Sequence, residues 1–135
     1  MIHLDSAFLV DLQRVDTRGR PAGALDFIES LDENETLSAS VHVLAEMRAG
    51  AELSRRPLQE NEVLDRLLSN LVIAYPDARF APAFARLSAA MQRNGQSIAT
   101  MDLLIATAAI LDDAPLVTRN MKDFSRVPGL RVLGY

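Results

Sequence analysis

Apolar and polar positions alternate between two periods along the chain. Ile2-His3-Leu4 is a short apolar opening, followed at once by Asp5-Ser6 and by Ala7-Phe8-Leu9-Val10-Asp11-Leu12, so the pattern predicts a buried strand feeding a helix, with Asp5 at the strand's carboxyl end. A polar stretch over 16–23, with Gly19 and Pro21, breaks the pattern before helical spacing resumes over 24–31. A second strand is predicted over 36–39, and Ser40 can cap a helix that starts at Val41 and carries on towards Arg56, where Pro57 favours a break. Residues 59–70 form another amphipathic helix and 71–74 a third buried strand. Phe80, Phe84, Leu87 and Met91 mark a long helix within 76–94, closed by Asn94-Gly95. Thr100 can cap the next helix, 101–111, which is apolar nearly all round, and the last strands fall at 115–118 and 130–133.

Helices alternating with short apolar strands that form no hairpins imply a parallel sheet covered on both faces, so the expected fold class is α/β. The 135 residues suit one domain, 1–135, since two independent cores would each be too small to hold. With 49% hydrophobic and 24% charged residues a sizeable core is expected. No basic amino-terminal region or long apolar run suggests secretion or a membrane span, so a cytoplasmic protein with no membrane partner is expected.

Cysteine is absent, which rules out disulfides and thiolate metal sites and leaves oxygen or imidazole donors for any metal. Four acids stand out. Asp5 and Asp123 follow predicted strands, at the edge of a parallel sheet where ligands bind. Asp102 opens an otherwise apolar helix, and Glu46 lies between Ala45 and Met47. Each has an ordinary reading as well: Asp102 as a favourable charge at a helix start, Glu46 as a solvated face, Asp5 as a helix cap. As a set they match Mg2+ or Mn2+, which take carboxylate and water oxygens and offset the repulsion among several acids. Such ions support phosphodiester hydrolysis without a protein nucleophile.

Several segments resemble the PIN-domain family, and within it the VapC toxins of bacterial toxin-antitoxin pairs. The opening Ile2-His3-Leu4-Asp5-Ser6-Ala7-Phe8-Leu9-Val10-Asp11 is similar to the family's first motif, and Ala45-Glu46-Met47-Arg48-Ala49-Gly50 resembles its Ala-Glu-Leu-Arg-x-Gly core, with Met47 where Leu is common. The stretch from Gly95 through Thr100-Met101-Asp102 to Ala106 resembles the third motif, with Thr107 and Ala108 varying the Ala-rich helix behind it. Val117-Thr118-Arg119-Asn120-Met121-Lys122-Asp123-Phe124 resembles the fourth. The resemblance implies a three-layer α/β/α sandwich and a metal-dependent endoribonuclease. Asp5, Glu46, Asp102 and Asp123 would be its metal-binding acids, Thr118 and Asn120 would support the site, and Ser6 would lie near the metal. It also implies a homodimer and a small VapB-like antitoxin whose extended carboxyl-terminal segment covers the acidic groove. An arginine of such a segment could bind the carboxylates bidentately.

The net charge of −4 ordinarily argues against a nucleic-acid partner. With the four proposed ligands set aside, however, the remaining acids match the 14 basic residues in number, and all of those but Lys122 are arginine. An RNA substrate is therefore permitted. Direct DNA binding by this chain alone is not expected, because it offers no basic recognition helix. Arg119, beside the acids, is a better candidate for steering RNA than Arg55-Arg56. His3 and His42 are expected to be structural, and no phosphate-binding glycine loop occurs.

An aspartyl phosphatase would need a second acid at position 7, which is Ala, and a phospho-receiver would need an acidic pair that is missing. The alternative is a PIN-like scaffold or binding module without catalysis, whose signature would be loss of one of the four acids.

Overall fold

The structure is a computed structural model that describes residues 1–18 and 23–135, with the backbone alone for 15–18. The chain runs β1 (Ile2–Leu4), α1 (Ser6–Arg18), α2 (Gly23–Ser30), β2 (Leu37–Ser40), α3 (Val41–Glu52) and α4 (Pro57–Leu68). It continues through β3 (Val72–Ala74), α5 (Phe80–Arg93), α6 (Thr100–Leu111), β4 (Leu116–Val117), α7 (Met121–Phe124) and β5 (Val132–Leu133). Among the described residues no helix is long and apolar enough to cross a membrane.

The strands form one parallel sheet in the order β3-β2-β1-β4-β5. This is the α/β/α architecture expected, with helices covering both faces of the sheet. The chain builds outward from β1 through β2 to β3, then returns to place β4 on the other side of β1. The boundary between β1 and β4 is therefore the point where the strand order reverses, where parallel sheets open a crevice beyond their carboxyl ends.

Burial explains why β1 lacks alternation: Ile2, His3 and Leu4 are all buried, as both faces of a central strand are covered. Phe8 and Leu9 at the start of α1 are fully buried, and α6 buries Leu103 and every residue from Ile105 to Ala109. Truncating a side chain such as Phe8 to alanine would cost about 3–5 kcal/mol, through lost transfer energy and the cavity left behind.

Local signals account for several boundaries. Ser40 caps α3 as expected, its hydroxyl accepting from Val43 N–H at 3.3 Å. Pro57 opens α4, where its missing N–H is no loss. At the end of α5, Gly95 takes φ +63°; its N–H reaches Gln92 O at 3.2 Å and Gln96 N–H reaches Met91 O at 2.8 Å, the paired bonds of a Schellman stop.

Other expectations need correction. The polar stretch over 16–23 does not break the helix at Asp16, because α1 continues to Arg18; positions 19–22, with Gly19 and Pro21, lie outside the described residues. Strand β3 is an edge rather than a buried strand, with Val72 half-exposed. The long helix within 76–94 starts only at Phe80, because Asp77 holds the preceding turn by accepting from Arg79 N–H at 2.8 Å. Thr100 does not cap α6: Ala99 occupies that position and no side chain bonds the helix start. The short helix α7 carries no apolar periodicity of its own and was not anticipated.

Candidate metal centre

Register alone brings two of the expected residues together. Leu4 pairs with Val117, so the next residue on each strand, Asp5 and Thr118, emerge side by side at the crevice. The Thr118 hydroxyl donates to Asp5 Oδ2, while Asp5 Oδ1 accepts from Phe8 N–H at 2.8 Å. Asp5 thus caps α1 and faces the site at once, because each carboxylate oxygen keeps a second lone pair.

Thr118 also links the fourth acid. Its hydroxyl oxygen accepts from Asn120 N–H at 2.9 Å, and the Asn120 amide donates to Asp123 Oδ2 at 3.2 Å. One chain of hydrogen bonds therefore runs from Asp5 through Thr118 and Asn120 to Asp123 on α7. On the opposite side, the Ser6 hydroxyl donates to Glu46 Oε2. Glu46 sits one residue before Met47, which with Val43 and Ala51 forms the buried stripe of α3, so its carboxylate leaves the helix along the edge of the packed face.

Asp102 lies in the first turn of α6 and has no hydrogen-bond partner among the described residues. Partial burial raises its pKa, and the charges of Glu46, Asp123 and Asp5 raise it further. Burial likewise raises that of Asp5, with a contribution from Glu46, against the opposing pull of Thr118, Phe8 N–H and the Arg119 charge. All four expected acids therefore share one field. Among the described residues no three of them close around a single point as a ready-made cage. An open set of this kind suits a small hard divalent ion, which usually keeps several waters and takes only one or two carboxylates directly. The donor chemistry, all oxygen with Asp102 unpartnered and acted on by the charges of the other three acids, fits such an ion.

Arg119 is at the rim, but its Nη1 is 2.8 Å from both Asp11 oxygens, and Asp11 Oδ2 also accepts from the Tyr135 hydroxyl at 2.7 Å. Neither Asp11 nor Tyr135 was singled out from sequence. Asp11 did carry the signal that marked Glu46, an acid inside an apolar helical run; Tyr135 carried none.

The histidines are apart from this centre. His3 is buried with Nε2 2.7 Å from Asp112 Oδ2, and His42 lies against Phe80 with ring centroids 5.2 Å apart. Both behave as structural residues, as expected. Arg55 and Arg56 lie in the turn between α3 and α4.

Alongside the acids runs a groove of about 630 Å3 between α1, α3 and α4. Ser6 and Glu46 stand at its polar side, and Val10, Met47, Val63 and Leu64 supply apolar walls.

The model of the PIN domain matches residues 2–130. A relative from Rickettsia felis, Ribonuclease VapC2, is 38% identical over 103 residues, covering 76% of this chain and 77% of that protein. Ribonuclease VapC19 of Mycobacterium tuberculosis is 30% identical over 128 residues, 95% of each chain. Among solved structures, VapBC2 from Rickettsia felis bound to a promoter DNA fragment superposes with a TM-score of 0.87 at 32% identity, covering 100% of this chain and 99% of that one.

Proposed function

Because this chain belongs to the PIN-domain family, among the VapC ribonucleases, we propose that residues 1–135 act as one domain that hydrolyses RNA phosphodiesters as the toxin of a cytoplasmic toxin-antitoxin pair. The observation that carries the reading is the hydrogen-bonded chain from Asp5 through Thr118 and Asn120 to Asp123 at the strand-order reversal, beside an unpartnered Asp102 on which the charges of Glu46, Asp123 and Asp5 all act. A favourable charge at the start of α6 accounts for Asp102 alone, but not for its partial burial beside three like charges without a partner.

Asp5, Glu46, Asp102 and Asp123 are the proposed metal-binding residues, and Mg2+ or Mn2+ the proposed ion. When bound, the ion supplies an activated water and offsets charge on the phosphodiester. The chain's own residues do the positioning. Thr118 and Asn120 fix the orientations of Asp5 and Asp123, Ser6 fixes Glu46, and Arg119 contributes positive charge at the rim.

The groove beside the acids suits the proposed VapB-like partner, since an extended segment could seat apolar side chains against Val10, Met47 and Val63 and deliver an arginine to the carboxylates. DNA binding is assigned to that partner in the complex rather than to this chain alone. A homodimer is also proposed, supported by Leu53 and Leu58, which are 88% and 81% exposed around the turn between α3 and α4.

The test is cleavage of single-stranded RNA by the purified chain with and without Mg2+ or Mn2+, together with Asp102→Asn. Cleavage that needs the ion and disappears in the variant is expected. Activity indifferent to both would overturn the metal centre.

A further inference from the structure

Arg119 occupies a constrained place. Thr118 before it bonds Asp5 and Asn120 after it bonds Asp123, so its backbone is held at the rim of the acidic centre. Its side chain reaches back to α1, where one nitrogen, Nη1, lies 2.8 Å from both oxygens of Asp11. Nε and Nη2 have no partner among the described residues, and the side chain is 55% exposed. The Arg119 charge also acts on Asp5, opposing the rise that burial causes in its pKa.

Asp11 is itself held. The Tyr135 hydroxyl donates to Asp11 Oδ2 at 2.7 Å, and the Tyr135 ring stands edge-on to Phe8 with centroids 4.7 Å apart. Phe8 is fully buried and its N–H donates to Asp5. Burial and the bond to Asp11 raise the Tyr135 pKa, which keeps the hydroxyl a donor through the neutral range. A line of support therefore runs from the core through Phe8, Tyr135 and Asp11 to a guanidinium with donors to spare. Ion pairs with an exposed partner contribute little to stability, so stability alone is a weak account of this arrangement.

We propose that Arg119 anchors an RNA phosphate flanking the scissile one through its unpartnered Nε and Nη2, and that Asp11 and Tyr135 are positioning residues that aim it. The inference rests on the ribonuclease reading above. A guanidinium edge matches two non-bridging phosphate oxygens, a geometry lysine cannot reproduce. Fixing the side chain beforehand lowers the ordering cost on binding.

The experiment measures cleavage and binding of a labelled single-stranded RNA oligonucleotide by the full chain, its Arg119→Ala, Arg119→Lys, Asp11→Asn and Tyr135→Phe variants, and the Asp11→Asn/Arg119→Ala double variant. Melting temperature with and without Mn2+ is followed in parallel. Arg119→Ala is expected to raise KM about tenfold or more, as loss of a charged hydrogen bond implies, with a smaller effect on kcat. The slope of log affinity against log salt should become shallower by about 0.7, the value for one phosphate contact on a single strand. Arg119→Lys should fall between, and the Mn2+-induced rise in melting temperature should persist in every variant.

Asp11→Asn and Tyr135→Phe should raise KM less than Arg119→Ala, and Asp11→Asn should add nothing once Arg119 is alanine. An unchanged KM and salt slope in Arg119→Ala, with the parent chain active, would overturn the anchoring role alone. An Asp11→Asn effect that persists undiminished in the Arg119→Ala background would overturn the positioning role. A parent chain that neither cleaves nor binds the oligonucleotide would overturn the ribonuclease reading and this inference together.

Discussion

The Thr118 hydroxyl donates to the Asp5 carboxylate across the β1–β4 boundary and accepts from Asn120 N–H, so one buried hydroxyl joins the first acid to the loop carrying the fourth. Thr118 is fully buried, and its replacement by Val keeps the shape while removing the hydroxyl. Thr118→Val is expected to cost about 1–3 kcal/mol in urea denaturation, because the Asn120 N–H loses its acceptor and Asp5 a donor. Groups that orient metal ligands typically matter about 10–100-fold, so Mn2+ affinity or RNA cleavage should fall by that order. Unchanged activity in a folded Thr118→Val protein would show that Asp5 orientation is fixed elsewhere.

Asp102 is expected to trade stability for function. Burial and three neighbouring carboxylates disfavour its charge when no cation is bound. Asp102→Asn should therefore leave the metal-free melting temperature equal to or above that of the parent, abolish the rise produced by excess Mn2+, and abolish RNA cleavage. Differential scanning fluorimetry and a cleavage assay check the three outcomes. A marked fall in metal-free stability would mean that the carboxylate has a structural role instead.

Much of this arrangement was legible in the sequence, for physical reasons that differ by element. β1 and α6 announce themselves because burial on all sides demands unbroken apolar runs, and an acid set at the end of each, Asp5 and Asp102, is conspicuous against that background. Ser40 and Gly95 were readable because capping and left-handed backbone demand particular residues. The exposure of β3 was not readable, since Val72 to Ala74 is as apolar as a central strand and only the strand order puts it at the edge. Nor was α7, whose four residues are too few to show a period. Tyr135 joins Asp11 through tertiary contact alone, across nearly the whole length of the chain.

A pH effect should arise at His42. Its Nε2 is buried without a hydrogen-bond partner, in a pocket it shares with Asp77, Arg79 and Asp112, and burial lowers its pKa below the ordinary 6.5. Above that value both native and unfolded chains hold the ring neutral and nothing changes. As pH falls through 6.5 the unfolded chain takes up the proton before the native one, so stability declines. His3, lowered chiefly by burial despite Asp112, acts in the same direction. Denaturation between pH 7.5 and pH 5 should show a shallower decline in His42→Gln than in the parent. Identical slopes would remove His42 from the account.

The groove between α1, α3 and α4 separates inhibition from catalysis. Val63 lines it from α4 and is 36% exposed, whereas none of the four acids belongs to that helix. A glutamate there would place a charge against the apolar side chains of a bound segment, at a wall shared with Glu60, and could be buried only at considerable cost. Val63→Glu is therefore expected to weaken binding of the co-expressed antitoxin by about tenfold or more, equivalent to about 1.4 kcal/mol, while leaving cleavage of RNA by the free chain intact. Replacing the antitoxin's carboxyl-terminal arginine by alanine should relieve inhibition through the other end of the same contact, by freeing the carboxylates. Titration calorimetry and cleavage in the presence of graded antitoxin distinguish the two effects. If inhibition survives Val63→Glu, loss of that arginine and deletion of the antitoxin's whole carboxyl-terminal segment, the antitoxin does not act through this groove.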